Sequence, residues 1–382
     1  MLPSFDYQPL GRVLFEAGAI ARLGAAAREL GGTRALLVTD PGLEKAGHPQ
    51  RALASLRDAG LHVALFDGVE ENPTTRHVSN GLELARAEKV DLLVAVGGGS
   101  AMDCAKGINF LLTNGGHMAD YKGSNRATKP MLPSIGVPTT AGTGSEAQSF
   151  ALIADEKTHL KMACGDRKVA FRTVILDPEL TISQPATVAG ITGIDALSHA
   201  VESYVTTRRN PLSQTFAREA WRLLERNFEA VLRQPTDLQA RGAMQLGAHF
   251  AGMAIECSML GACHALANPL TAHYGLTHGI AIGVMLPQVI RFNAPAAGGL
   301  YGDLAHDVGL VNGDEQAAAE VLARRITQFL ETAGLPTTLT DCGVSGGIFP
   351  LLAEEASQQW TATFNPRPVT EHDLRRLYET AL

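Results

Sequence analysis

Short apolar runs alternate with amphipathic stretches through the first hundred residues, and few folds tolerate that rhythm. Ala35-Leu-Leu-Val-Thr39, Val63-Ala-Leu-Phe66 and Leu92-Leu-Val-Ala-Val96 read as buried strands, with a shorter one over 12–16. Helical spacing of apolar residues fills the gaps at 19–30, 49–59 and 75–88. Strand after strand with a helix between them is the pattern of a parallel sheet covered by helices on both faces. From Ala186 onward the pattern is mostly helical, with long periods over 212–232 and 238–259 and further helices expected at 315–333 and 368–381. At 382 residues the chain exceeds the usual size of one hydrophobic core. Two domains are therefore expected: an α/β domain over 1–184 and an all-α domain over 185–382.

Charge and cysteine usage exclude several classes. A net charge of −7 with no basic run argues against a nucleic-acid partner. No uninterrupted apolar run approaches membrane-spanning length. Cys104, Cys164, Cys257, Cys263 and Cys342 are scattered, without a Cys-x-x-Cys pair, as in a reduced protein. Met1 is followed by Leu-Pro-Ser-Phe-Asp-Tyr, with no basic n-region and no apolar h-region, so a cytoplasmic location is expected.

Strand 92–96 runs directly into Gly97-Gly-Gly-Ser100 and then a helical stretch. Strand, glycines and helix start form an arrangement that cradles phosphate, because the backbone can approach closely and free N–H groups point at the anion. The spacing is not that of the Gly-x-Gly-x-x-Gly fingerprint. Asp103, one turn on, could bond a cofactor or stabilise the positive helix end. A second small-residue loop, Pro138-Thr-Thr-Ala-Gly-Thr-Gly-Ser-Glu146, follows strand 134–137. Its hydroxyls suit ribose and phosphate, or simply cap the next element. Ligands bind outside the carboxyl ends of parallel strands, and two such loops on one sheet point to a dinucleotide. Asp40 closes another strand and could accept from the ribose 2′-hydroxyl of NAD while repelling the 2′-phosphate of NADP.

The helical half concentrates imidazoles. Gly261 to Gly279 holds His264, His273 and His278 in an apolar setting. On one straight helix His264 and His278 would lie about 21 Å apart. Pro269 and Gly275 are expected to break the helix and let them meet. Two meeting imidazoles are either packed core residues or metal ligands. Asp195 and His199, four apart, share a helix face and can hydrogen-bond each other or ligate one ion. Asp195, His199, His264 and His278 together suit zinc or ferrous iron, being too rich in nitrogen for magnesium or calcium. Such a metal beside a dinucleotide implies hydride transfer at a carbon bearing oxygen.

The chain resembles the iron-containing (group III) alcohol dehydrogenases. The resemblance rests on Gly97-Gly-Gly-Ser-Ala-Met-Asp-Cys-Ala-Lys106, Pro138 to Glu146, Gly193-Ile-Asp-Ala-Leu-Ser-His199 and His264 to Gly279, and it spans essentially the whole sequence. It implies a dinucleotide-binding α/β domain and a helical domain whose Asp195, His199, His264 and His278 ligate Fe2+ or Zn2+. It also implies NAD contacts from Asn72, Gly98, Gly99, Ser100, Asp103, Thr139, Thr140, Thr143, Lys161 and Leu180, a small alcohol or aldehyde substrate, and a homodimer. One departure matters. Where many members carry a proton-relaying histidine, this chain has Asn268, which cannot titrate. His273 is the nearest spare imidazole for a shuttle. The expected activity is NAD-dependent interconversion of a small primary alcohol or diol and its aldehyde. A cyclase of the dehydroquinate-synthase type would share the fold and NAD but lacks the Asp/His/His/His set. A binding protein with a retired site is disfavoured by the same complete set.

Overall fold

The computed structural model describes residues 3–158, 160–311 and 317–382. The chain divides into two compact units. The first, Gln8–Gln184, is built on a six-stranded parallel sheet of order β1-β9-β6-β4-β2-β3. Its strands are β1 (Arg12–Phe15), β2 (Arg34–Val38), β3 (His62–Phe66), β4 (Leu92–Gly97), β6 (Ser134–Pro138) and β9 (Thr173–Leu176). The helices α1 (Leu23–Glu29), α2 (His48–Asp58), α3 (Thr75–Ala87) and α4 (Gly99–Asn114) form the crossovers expected of this strand pattern. β2 and β4 are buried along almost their whole length, as strands covered on both faces must be. Asp177 ends β9 and is fully buried. Its carboxylate accepts from the N–H groups of Gly18 (2.9 Å), Ile20 (3.1 Å) and Glu179 (3.1 Å), and so pins the turn that follows neighbouring β1.

A second sheet, β5 (Gly123–Ser124), β8 (Lys161–Gly165) and β7 (Phe150–Ala154), was not expected from sequence. β7 and β8 form an antiparallel hairpin, and its Ala154 N–H bonds the Pro73 carbonyl at 2.9 Å. That bond docks the hairpin beside the segment that starts α3.

The second unit is all helical: α5 (Ala186–Val205), α6 (Pro211–Arg233), α7 (Leu238–Glu256), α8 (Ala262–Tyr274), α9 (His278–Asp307), α10 (Ala318–Thr332), α11 (Phe349–Ser357) and α12 (Glu371–Thr380). The N-terminal segment through Tyr7, read with the α/β part from sequence, groups with this unit, and the Tyr7 ring lies 6.2 Å from that of Phe216. α9 has the length and composition of a membrane span, against the expectation of none. Some 61% of that apolar window is buried, and the helix packs on α5, α8 and α10.

Pro269 does not break its helix as expected: α8 continues through it to Tyr274. The reversal comes at Gly275, whose φ of 66° terminates the helix in the left-handed region. About 15 Å of helix separates His264 from Tyr274. Four residues can retrace at most about 13–14 Å of it, and His278, which starts α9, brings its ring to 5.4 Å from that of His264. The close approach of α9 to α5 requires Gly279. A Cβ there would stand 2.3 Å from the Ile191 carbonyl oxygen, a backbone atom that cannot swing away. Gly279→Ala is expected to force α9 off α5 and cost about 1–3 kcal/mol of stability, read as a lowered urea midpoint with an unchanged slope.

Candidate functional site

α5 presents Asp195, His199 and Glu202 at i, i+4 and i+7, one above the other on a single face. α8 brings His264 in its first turn, and α9 opens on His278. The four expected side chains meet. A single oxygen, Asp195 Oδ1, lies 3.5 Å from His199 Nε2, 3.8 Å from His264 Nε2 and 3.8 Å from His278 Nε2. The His199 and His264 rings stack at 4.9 Å between centroids, and His264 and His278 tilt at 5.4 Å. The ligating atoms of Asp195, His199 and His264 all lie within 4.8 Å of one another. A tetrahedral cation with bonds of about 2.0–2.2 Å sets its ligand atoms about 3.3–3.6 Å apart, close to the separations from Asp195.

The electrostatics favour a cation. Asp195, His199 and His264 are nearly fully buried, whereas the His278 side chain keeps 26% of its surface and marks the open side. Asp195 Oδ1 and His264 Nε2 are buried without a hydrogen-bond partner among the described residues, although each is aimed at the shared gap. Burial opposes ionisation of Asp195, but the surrounding imidazoles outweigh it and hold the carboxyl below its usual range. Burial also opposes protonation of His264, but Glu202 and Asp195 lift its pKa to about 9. Two buried carboxylates, Asp195 and Glu202, thus face three imidazoles, a setting that a divalent cation neutralises.

Glu202 carried no expectation from the sequence. Its Oε2 pairs with His264 Nδ1 and its Oε1 accepts from the Cys263 N–H at 2.8 Å. The readable signal is its place three residues after His199 on the same helix face. Asn268 lies one turn past His264 and donates to Gln359 Oε1 at 3.0 Å. His273, nine residues from His264 and so about 13–14 Å along α8, pairs through Nε2 with both oxygens of Glu355, at 2.9 and 3.0 Å.

The expected dinucleotide residues lie in the α/β unit. β2 pairs with both β3 and β4, so the chain direction across the sheet reverses at β2, and the switch point, the crevice where ligands bind in such sheets, falls between the carboxyl ends of β2 and β4. Asp40 follows β2, and the Gly97–Ser100 stretch follows β4. A Cβ on Gly97 would stand 3.3 Å from Asp40 Oδ2, so the two strand ends touch. Asp40 accepts from the Gly42 N–H at 3.0 Å, and burial raises its pKa. Gly98 caps α4, whose first-turn N–H groups have no partner further back in the helix.

The second loop starts at the register partner of Gly97, Pro138. Thr139 N–H bonds the Gly97 carbonyl at 3.0 Å. A Cβ on Gly99 would meet Thr143 at 2.8 Å, and one on Gly98 would meet Thr140 at 3.5 Å. Ser100, Thr140 and Thr143 are only partly buried here, whereas Thr139 is buried. Asp103 accepts from Ser145 Oγ at 2.6 Å, and buried Lys106 donates to the carbonyls of Ser145 and Phe150, each at 2.7 Å. These bonds fix the second loop onto α4. Lys161 Nζ reaches Asn72 Oδ1 at 3.5 Å because the hairpin docks beside Pro73. Leu180 is fully buried in the apolar core with Ile20, Leu23 and Leu37, and its main-chain N–H bonds the Asp177 carbonyl at 3.1 Å.

Known proteins match the chain along its length. The family model described as iron-containing alcohol dehydrogenase matches residues 11–178, and that of the Fe-containing alcohol dehydrogenase family, C-terminal, matches 189–382. A 1,3-propanediol dehydrogenase from Klebsiella pneumoniae is 38% identical over 381 residues, covering 99% of this chain and 98% of that protein. An NAD-dependent methanol dehydrogenase from Bacillus methanolicus is 35% identical over 367 residues, covering 96% of each. The crystal structure of a 1,3-propanediol oxidoreductase aligns at a TM-score of 0.96 with 38% identity, over 100% of both chains. With family models matching both halves and relatives aligned end to end, the chain belongs to the iron-containing alcohol dehydrogenase family.

Proposed function

We propose that this chain interconverts a small primary alcohol or diol with its aldehyde, using NAD(H) and one divalent cation held by Asp195, His199, His264 and His278. The oxidoreductase class follows from family membership. The observation that carries the site assignment is the single Asp195 oxygen with three imidazole Nε2 atoms at 3.5–3.8 Å. When bound, the cation supplies a Lewis acid that acidifies an alcohol hydroxyl, and nicotinamide supplies the hydride acceptor. Three imidazoles and one carboxylate accept Fe2+ or Zn2+; the usual affinity order favours zinc, and the family favours iron.

The chain's own residues do the rest. His278, on the open side, adjoins the position a substrate oxygen would take. The Gly97–Ser100 stretch offers backbone N–H groups to a pyrophosphate, with Thr139, Thr140 and Thr143 facing it from the second loop. Asn72 and Lys161 bound the crevice from the hairpin side, and Asp103 supports it through Ser145. Asp40 selects against a 2′-phosphate by charge. We place the enzyme in the cytoplasm as a homodimer or higher homo-oligomer; its five free cysteines fit a reducing compartment.

The proton released on oxidation needs a path. Asn268 sits one turn from His264 and can order water, whereas the His273 ring is held by both oxygens of Glu355. We therefore assign the path to water at Asn268.

Three experiments check these assignments. His264→Ala should lose stoichiometric metal and nearly all turnover of an alcohol and aldehyde panel; full metal content after purification would sink the ligand set. Asp40→Gly should narrow the preference for NAD over NADP by about 1–3 kcal/mol in kcat/KM, the scale of one like charge removed from a partly solvated site. Equal use of both cofactors by the wild type would refute the role given to Asp40. For the proton, Asn268→Ala should slow turnover by at least about tenfold, a fraction of what a titrating relay contributes. His273→Phe should be nearly silent at normal metal content, and a flattened pH profile in that variant would return the relay to His273.

A further inference from the structure

The start of α8 is held by two side chains from outside the helix. Glu202 Oε1 accepts from the Cys263 N–H at 2.8 Å, and Asn365 Oδ1 accepts from the Ala262 N–H at 3.2 Å. Both approach over Gly261, where a Cβ would stand 3.0 Å from each of the two oxygens. Asn365 is itself locked by paired bonds with buried Asn293, at 3.0 and 2.7 Å. An N-terminal helix turn leaves such N–H groups orphaned, and the two imported acceptors satisfy two of them. Glu202 does one thing more. Its second oxygen binds His264 Nδ1, and all these groups are buried.

We propose that Glu202 is a positioning residue that fixes the tautomer and orientation of His264 and thereby sets the affinity of the site for its divalent cation. An anionic acceptor at Nδ1 keeps the proton on that nitrogen. Nε2 then carries its lone pair toward Asp195 Oδ1. Because the same carboxylate also grips the Cys263 N–H, the ring cannot shift relative to the helix that bears it. The inference rests on the assignment of the four ligands made above.

The clamp and the cap can be separated by substitution. Glu202→Gln keeps the size of the side chain and an oxygen for the Cys263 N–H, but it turns an amide NH2 toward Nδ1. Two donors then face each other, and the imidazole is driven to carry its proton on Nε2, where it cannot ligate. Competition titration of Zn2+ and Fe2+ against a chromogenic chelator should show a 10–100-fold weaker Kd, the range for loss of a supporting partner behind a ligand. Above its raised pKa of about 9, where the ring is neutral, the 15N shifts of His264 in metal-free protein should move from the Nδ1–H to the Nε2–H pattern. Asn365→Ala removes the other cap without touching His264; it should lower the melting temperature and leave metal affinity within about twofold, well below a clamp effect. Unchanged affinity and tautomer in Glu202→Gln would overturn the clamp. So would an equal loss of affinity in Asn365→Ala, which would make Glu202 a cap alone. Wild-type protein that binds neither ion would instead overturn the ligand assignment itself. If Glu202→Gln does not fold, Glu202→Asp, which keeps the anion and shortens its reach, should show an intermediate Kd with the wild-type tautomer.

Discussion

The helical unit is organised around two carboxylates that it buries together. Isolated in an apolar interior, Asp195 and Glu202 would each be costly to ionise. Here both are given partners: imidazoles converge on Asp195, while Glu202 places one oxygen on an imidazole and the other on a helix-start N–H. This arrangement dictates the packing. α5 must offer three groups at helical spacing, α8 must start against Glu202, and α9 must start against α5. Two glycines permit those approaches. Gly261 leaves room for two capping oxygens, and Gly279 leaves room for a main-chain carbonyl. The Gly279 contact ties the position of His278 to a purely steric fact about its neighbour.

The α/β unit solves a different problem by different means. A pyrophosphate brings its own charge, so the site needs backbone donors and close approach more than side-chain charge. The contacts at Gly97, Gly98 and Gly99 show how little space separates the two loops. Lys106 ends the Gly-rich motif, a position from which a cation could bond phosphate. Its three bonds to Ser145 and Phe150 instead spend its charge on holding the second loop to α4. Asp103 is engaged in the same knot. The polar residues nearest the crevice therefore divide into those that fix the loops and those left at the surface.

Local periodicity carried most of the fold. Strands β2 to β4 and helices α3, α6 and α7 fall within a few residues of their expected bounds, because each owes its form to its own apolar spacing. Asp195 and His199 were legible for the same reason. The small second sheet was not: β5 has two residues, and the β7–β8 hairpin gains its place from a bond to Pro73 far away in sequence. The meeting of His264 and His278 was legible, but its cause was misplaced. A proline inside a helix was expected to break α8, and packing held the helix together through it, leaving the turn to Gly275. Glu202 drew no expectation because its place three residues after His199 is one that many helix acids share, and its partner, His264, lies 62 residues away.

The four donors are not held with equal stiffness. Asp195 and His199 sit in the middle of a twenty-residue helix, where displacing one drags its neighbours. His264 is fixed twice, by its cap and by Glu202. His278 opens α9, keeps a quarter of its surface, and immediately precedes Gly279, which lies close against the Ile191 carbonyl. Three stiff donors define a geometry, and the fourth completes it from the open side. The closely packed side of a protein yields far less than its rim, so small adjustments among these four side chains fall on His278 before the buried three.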